Sequence, residues 1–166
     1  MGIYAAADRQ TYSAFTSNYR ICAYKATEDK YAAIDEQLTG ITKDGVSTYD
    51  IEIKSRDSGR LYKDCIMEVD KYNKLMRFSL NEKKIYFVVY PKLNNVFIWN
   101  MNDFTRQELI NIYNKEFECN ERTADNRTIK VKKKVFHLPF DKAKSFNFDS
   151  FKYYKYIYEE LAKQNK

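Results

Sequence analysis

The sequence has few residues that break or bend a chain, since its 166 residues include only 4 glycines and 2 prolines. Hydrophobic residues make up 44% of the chain and aromatic residues 16%, a composition that excludes a disordered or collagen-like protein. The length suits one domain with its own core, so we expect a single domain over residues 1–166.

Long apolar runs are also missing. The longest lies near residues 85–90 and is far too short to cross a bilayer. The first twenty residues lack the basic start and apolar block of a secretion signal. We therefore expect a cytoplasmic protein with no membrane contact.

Cysteine and histidine are too scarce for several kinds of site. Cys22, Cys65 and Cys119 are widely separated and form no C-x-x-C pair, which argues against a disulfide framework and a zinc site. His137 is the single histidine, so Cys/His nucleophiles and multi-histidine metal sites lack the residues they need. We expect three buried thiols and a structural histidine.

The positive charge is concentrated near the C-terminus. The last 37 residues contain 10 Lys and Arg against 4 Asp and Glu, whereas the first 129 contain 19 of each sign. Such a segment favours a polyanionic partner. A solvated, lysine-rich face is the alternative interpretation.

The apolar patterns predict alternating helices and strands. Thr105 and Glu108 have the spacing of a capping box, which predicts a helix from there to about Glu118. The predicted helices are at 8–19, from Asp70, at 105–118 and from Asp149; the predicted strands are at 31–42, 47–54, 61–69, 85–90, 96–100 and 128–138. This order indicates an α/β fold in which helices flank a mixed sheet, with an extra basic strand and helix at the C-terminus.

A β-hairpin is predicted around Asp44-Gly45, because Asp-Gly between alternating segments favours a tight turn. With the turn centred there, Lys54 lies opposite Asp35 and Glu52 opposite Gln37. Asp35 is then diagonal to Glu52 on one face of the sheet, within reach of a shared cation. Ile51 and Ile53 point to the other face.

Glu-x-Lys occurs three times, at residues 28–30, 52–54 and 82–84, so the tripeptide alone identifies nothing. Only Glu52-Ile53-Lys54 lies within an alternating strand, where Glu52 and Lys54 share a face. For a protein with no further signal, a charge-paired surface would be the simpler interpretation.

The segment AAID at 32–35, followed after the hairpin by YDIEIKSR at 49–56, resembles the Asp … Glu-x-Lys signature of the PD-(D/E)XK, or restriction-endonuclease-like, nuclease superfamily. The predicted order of helix, three strands, helix and strand is similar to the core of that superfamily over about residues 8–104. Ile34 stands where the proline of the family name would be. The basic extension at 105–166 lies outside the resemblance.

The resemblance implies a hydrolase that cleaves phosphodiester bonds of nucleic acid with Mg²⁺ or Mn²⁺. Asp35, Glu52 and the backbone carbonyl of Ile53 would bind the metal, and Lys54 would be the catalytic lysine. These residue types suit the chemistry, because Mg²⁺ prefers hard oxygen ligands and keeps several waters. We expect both carboxylates to favour the charged form of Lys54. Further accessory positions implied are Asp8, Gln37, Glu68 and Lys71.

Nucleic acid, with DNA as the first expectation, links such a site to the basic segment. The lysines expected to contact it are Lys130, Lys132, Lys133, Lys134, Lys142 and Lys144. Two alternatives stay open: a nucleic-acid-binding module without catalysis, suggested by a partial RNP1 pattern at 83–90, and an inactive scaffold with the nuclease fold. A homodimer would supply the two sites that cutting a duplex generally needs.

Overall fold

The computed structural model describes residues 21–26, 35–42, 45–56, 58–77, 83–120 and 130–147. Within these ranges the chain forms nine strands and two helices in two sheets, which confirms the predicted α/β class and mixed sheet. The predicted helices at 8–19 and from Asp149 lie outside the described residues.

The larger sheet has six strands in the order β1-β2-β3-β5-β6-β9. β3 and β5 run parallel, and the other neighbouring pairs are antiparallel. The strands are β1 (Ile21–Ala26), β2 (Glu36–Thr42), β3 (Gly45–Ser55), β5 (Lys83–Tyr90), β6 (Asn95–Asn100) and β9 (Lys144–Asn147).

The smaller sheet has the antiparallel order β4-β8-β7, formed by β4 (Asp64–Glu68), β7 (Tyr113–Asn120) and β8 (Lys130–Pro139). Helix α1 (Val69–Arg77) directly follows β4, and α2 (Arg106–Asn111) precedes β7. The basic C-terminal region is part of both sheets, because β8 pairs with β4 and β9 pairs with β6.

Several predicted elements are confirmed to within a few residues, including β3, β4, β5, β6 and β8. The capping box is also present, since the Thr105 side chain accepts from the Glu108 N–H and the Glu108 side chain accepts from the Thr105 N–H. Helix α1 begins at Val69, so Asp70 lies in its first turn and is not the N-cap.

The predicted helix over 105–118 is wrong beyond Asn111. The following residues form β7, because their backbone groups pair with β8 and this tertiary pairing overrides local helix propensity. β1 and β9 were also absent from the prediction. β4 belongs to the smaller sheet, so the three strands that precede α1 in the larger sheet are β1, β2 and β3.

The β2–β3 hairpin has a register two residues away from the predicted one. Thr42 pairs with Gly45, and Gln37 pairs with Asp50 in place of Glu52. Gly45 has a φ of 113°, a value that glycine adopts readily and other residues rarely do. Because the shift is an even number of residues, every side chain keeps its predicted face of the sheet.

The two faces of the larger sheet carry separate hydrophobic clusters. Ile51 and Ile53 pack with Phe87 on one face, as predicted. The opposite face carries Tyr86 and Trp99, which pack against α1 and the smaller sheet. Trp99 also donates its Nε1–H to the Pro139 carbonyl at 2.9 Å, a direct link between the two sheets. β5 is therefore covered on both faces, as its apolar sequence predicted.

The cysteines differ in burial, and the single histidine has an acidic partner. Cys65 is buried, as expected, while Cys119 is only partly buried. His137 Nδ1 lies 2.8 Å from Asp64 Oδ1. In the described parts of the chain, no helix is both long and apolar enough to span a membrane.

A buried ion pair joins the two parallel strands. Asp50 on β3 is 0% exposed, and its Oδ2 lies 2.5 Å from Lys84 Nζ on β5. The Gln37 side chain also donates to Asp50 Oδ1 at 2.9 Å. Since an unpaired charge in a protein interior is costly, each member of this pair depends on the other.

We expect Asp50→Asn to lower the free energy of unfolding by about 3 to 5 kcal/mol, because the buried ammonium of Lys84 would lose the negative charge of Asp50. Urea denaturation measures the change. The matched control is Lys132→Gln, which breaks an exposed pair with Glu116 and should cost less than about 1 kcal/mol. Equal losses in the two variants would contradict the prediction.

Candidate active site

Three of the predicted site residues come together where β2 begins beside β3. Asp35 lies immediately before β2, and Glu52 and Lys54 lie two residues apart on β3. Alternation along β3 places Glu52 and Lys54 on the face opposite Ile51 and Ile53. The predicted side-by-side placement of Glu52 and Lys54 is thus present in the structure.

Asp35 is held against β3 by two hydrogen bonds. Its own N–H donates to the Ile51 carbonyl at 3.0 Å, and its Oδ2 accepts from the Ile53 N–H at 2.8 Å. In a strand, the N–H and C=O of one residue point toward the same neighbour. The Ile53 carbonyl therefore points to the side of β3 on which Asp35 lies.

Glu52 is a buried carboxylate, with 4% of its surface exposed. Its Oε1 lies 2.8 Å from Lys71 Nζ on α1, whereas Oε2 is buried and has no hydrogen-bond partner among the described residues. Burial, followed by the negative charge of Asp35, raises the pKa of Glu52 to about 7. Lys71 opposes this shift but does not cancel it.

The electrostatic surroundings of Lys54 differ from those expected from its carboxylate neighbours alone. Burial lowers its pKa, and the positive charge of Arg56 adds to the effect. Glu68 and Glu52 favour its charged form, as expected for Glu52, but burial and Arg56 outweigh them, so the net shift of the pKa is downward. The register also contradicts the pairing of Lys54 with Asp35, because position 35 extends the ladder toward Glu52.

The predicted accessory residues differ in how they contact the site formed by Asp35, Glu52 and Lys54. Lys71 contacts Glu52, and Glu68 at the end of β4 contributes to the electrostatic field around both Lys54 and Lys71. The Gln37 side chain donates to Asp50, which lies two residues from Glu52 on the same face of β3. Asp8 lies outside the described residues.

Arg56 is a neighbour of the site that the sequence analysis did not select. Its guanidinium donates to the Ile66 carbonyl on β4, and its charge is the second largest influence on Lys54, after burial. The sequence places Arg56 just beyond the Glu-x-Lys motif but contains no signal that it turns inward. Only the tertiary position of β4, whose Ile66 carbonyl accepts from Arg56, reveals this.

The donor set fits a hard divalent cation. Glu52 Oε2 is a buried oxygen without a hydrogen-bond partner in the described structure, and Asp35 adds a second carboxylate beside it. The described residues contain no cluster of three or more His, Cys, Asp or Glu that could hold a metal. Asp35, Glu52 and the Ile53 carbonyl would fill only part of a coordination shell, which suits Mg²⁺ because this ion keeps several of its waters.

The predicted nucleic-acid lysines fall into two groups. Lys130, Lys132, Lys133 and Lys134 lie on β8, and Lys133 Nζ is 3.0 Å from Glu68 Oε1. Lys142 pairs with Glu108, and Lys144 is exposed on β9. A cavity of about 440 Å³ is lined by Glu68, Asp70, Lys132, Lys133 and Lys134. Glu68 thus connects the β8 lysines with the surroundings of Lys54.

No protein-family model and no curated protein matches the chain. Among solved structures, the fold is similar to that of a Holliday junction resolvase from the archaeon Archaeoglobus fulgidus, with 12% sequence identity and a TM-score of 0.44. The match covers 77% of this chain and 86% of the resolvase chain. At this level of similarity, function has to be argued from the residues of the site itself.

The raised pKa of Glu52 predicts a pH-dependent contribution to stability. The folded state holds the Glu52 proton more tightly than the unfolded chain, so this stabilisation is present below pH 4.5 and is lost as the pH rises through about 7. Relative to Glu52→Gln, which cannot ionise, the wild type should lose about 3 kcal/mol of unfolding free energy across this window.

Urea unfolding at a series of pH values measures the difference, and carbon-13 NMR of the Glu52 carboxyl measures the pKa directly. Glu118→Gln, which changes an exposed carboxyl on β7, is the matched control. A Glu52 titration midpoint close to 4.5 would show that the site is open to water.

Proposed function

We propose that the protein is a metal-dependent nuclease that hydrolyses phosphodiester bonds of nucleic acid, with DNA as the first substrate to test. The observation that carries the proposal is the placement of Asp35 beside Glu52 by the Ile53 N–H, with Lys54 on the same strand face. Two carboxylates and an ammonium in this arrangement match the needs of phosphodiester hydrolysis.

Asp35, Glu52 and the Ile53 carbonyl would hold Mg²⁺ or Mn²⁺. When bound, such an ion supplies charge neutralisation at the phosphate and activation of water. Asp35 would be held in position by the hydrogen bond from the Ile53 N–H, so its side chain would need little reorganisation to bind the metal. Burial of Glu52 strengthens its electrostatic interactions, because the surroundings have a lower effective dielectric constant than water.

Lys54 would orient the attacking water and stabilise negative charge on the phosphate oxygens. Its lowered pKa makes it a more ready proton donor than an exposed lysine, which suits the departure of an alkoxide leaving group. Glu68 and Glu52 lie close enough to influence this ammonium, so both acids would help to hold it in the site.

The buried state of β5 argues against RNA binding through its RNP1-like sequence. RNP1 aromatics stack on bases at an exposed sheet surface. Here Phe87 is 0% exposed and Tyr90 is 3% exposed, and each lies in a buried hydrophobic cluster on its own face of the sheet. The nuclease proposal therefore has better support than a binding module built on this strand.

The substrate would approach along β8. Lys130, Lys132 and Lys134 alternate along the strand and are exposed, so they follow one another at the spacing of a strand face. The pair between Lys132 and Glu116 is exposed and weak, which leaves this ammonium able to contact phosphate. Glu68 lines the same cavity as the β8 lysines and also influences Lys54. A nucleic-acid strand bound in this cavity would therefore extend from β8 toward Lys54.

We expect the purified protein to nick or cut plasmid or single-stranded DNA in the presence of Mg²⁺ or Mn²⁺, and EDTA to stop the reaction. Glu52→Gln and Lys54→Ala should each lower the cleavage rate by about 100-fold or more, because each removes charge stabilisation in the transition state. Gel electrophoresis of plasmid and labelled oligonucleotides measures the rate.

Glu118→Gln and Lys92→Ala change exposed residues of the same charge and are the matched controls. The ratio of nicked to linear plasmid also reports on a homodimer, since one site cuts one strand at a time. Nucleic acid binding with no cleavage across metals and substrates would instead indicate an inactive scaffold with this fold.

The β8 lysines should determine the salt dependence of DNA binding. Replacing Lys130, Lys132 and Lys134 together by Gln should lower the slope of log affinity against log salt by up to about 3, or about 1 for each phosphate contact. Fluorescence anisotropy with a labelled oligonucleotide at several salt concentrations measures the slope.

The matched comparison is Lys142→Gln with Lys144→Gln, because these two lysines lie away from the β8 segment that faces Glu68. A larger effect from this second pair would indicate a binding surface at β9 and the turn before it, instead of at β8.

A further inference from the structure

Lys71 and Lys84 form two very different ion pairs on the same side of the larger sheet. Lys84 is almost fully buried against Asp50, with 4% of its side chain exposed. Lys71 reaches Glu52 from the first turn of α1, and 41% of its side chain is exposed. The first pair is enclosed by the core, whereas the lysine of the second is partly open to solvent.

Lys71 contacts one of the oxygens that a metal would need. Its Nζ lies 2.8 Å from Glu52 Oε1, and the other oxygen of Glu52 is buried without a hydrogen-bond partner among the described residues. An ammonium and a divalent cation would compete for the same carboxylate, because both are attracted to the charge that Glu52 and Asp35 share. The bound ammonium offsets part of the carboxylate charge in the absence of metal.

We propose that Lys71 is an exchangeable counter-ion, which pairs with Glu52 while the site holds no metal and is displaced when a divalent cation binds. This inference rests on the proposed function. Once displaced, the partly exposed ammonium would remain under the influence of Glu68, which lines the cavity beside the β8 lysines where a nucleic-acid phosphate would enter. Lys71 is therefore a positioning residue that couples metal binding to substrate binding.

Calcium binding tests the proposal without catalysis, since Ca²⁺ uses oxygen ligands like those of Mg²⁺. Isothermal titration calorimetry at about two pH units above the pKa of Glu52 keeps this carboxyl ionised. We expect Lys71→Met to bind Ca²⁺ about tenfold more tightly than the wild type, because no ammonium has to be displaced. Lys74→Met, an exposed lysine on the same helix, should leave the affinity unchanged.

A crystal structure of the wild type with Ca²⁺ should show Lys71 Nζ beyond hydrogen-bonding distance of Glu52. An unchanged or weaker Ca²⁺ affinity in Lys71→Met, or a Lys71–Glu52 contact that persists beside the bound ion, would overturn the inference alone. Absence of Ca²⁺ and Mn²⁺ binding in both the wild type and Lys71→Met would overturn the metal site itself. Glu52→Gln is the negative control for metal binding in both proteins.

Discussion

The hydrogen bond from the Ile53 N–H to the Asp35 carboxylate is the contact on which the candidate site depends. It joins the residue that precedes β2 to the strand that carries Glu52 and Lys54. Without it, the backbone would still place position 35 opposite Glu52, but the Asp35 carboxylate would lose its contact with the backbone of β3. With it, two like charges are held close together, and their repulsion adds to burial in raising the pKa of Glu52.

This arrangement has an energetic cost that the surrounding cations reduce. A buried carboxylate beside a second carboxylate favours its protonated form, and Lys71 and Lys54 both oppose that tendency. The enclosed pair between Asp50 and Lys84 lies two residues along β3 from Glu52 and holds β3 against β5. The buried pair between Asp50 and Lys84 therefore stabilises the sheet, whereas the more exposed Lys71 pairs with Glu52, a carboxylate of the candidate site.

The sequence predicted the candidate site better than it predicted its electrostatics. Period-two alternation was enough to place Glu52 and Lys54 together, and it tolerated a register error of two residues because faces repeat every two residues. The effect of Glu52 on Lys54 has the predicted sign, but the net pKa shift is downward because it follows from the depth of burial and from Arg56. Neither quantity can be read from the spacing of residues along one strand.

Local patterns in the sequence determined the α/β class, the apolar central strand β5, the capping box at Thr105 and the shared face of the Glu-x-Lys motif. Each of these depends on neighbours within a few residues. The tertiary structure decided that residues 113–120 form β7, that β4 leaves the main sheet to pair with β8, and that Lys71 reaches Glu52. These outcomes depend on hydrogen bonds and charges between residues far apart in the chain, whose pairing is settled only when the whole core packs.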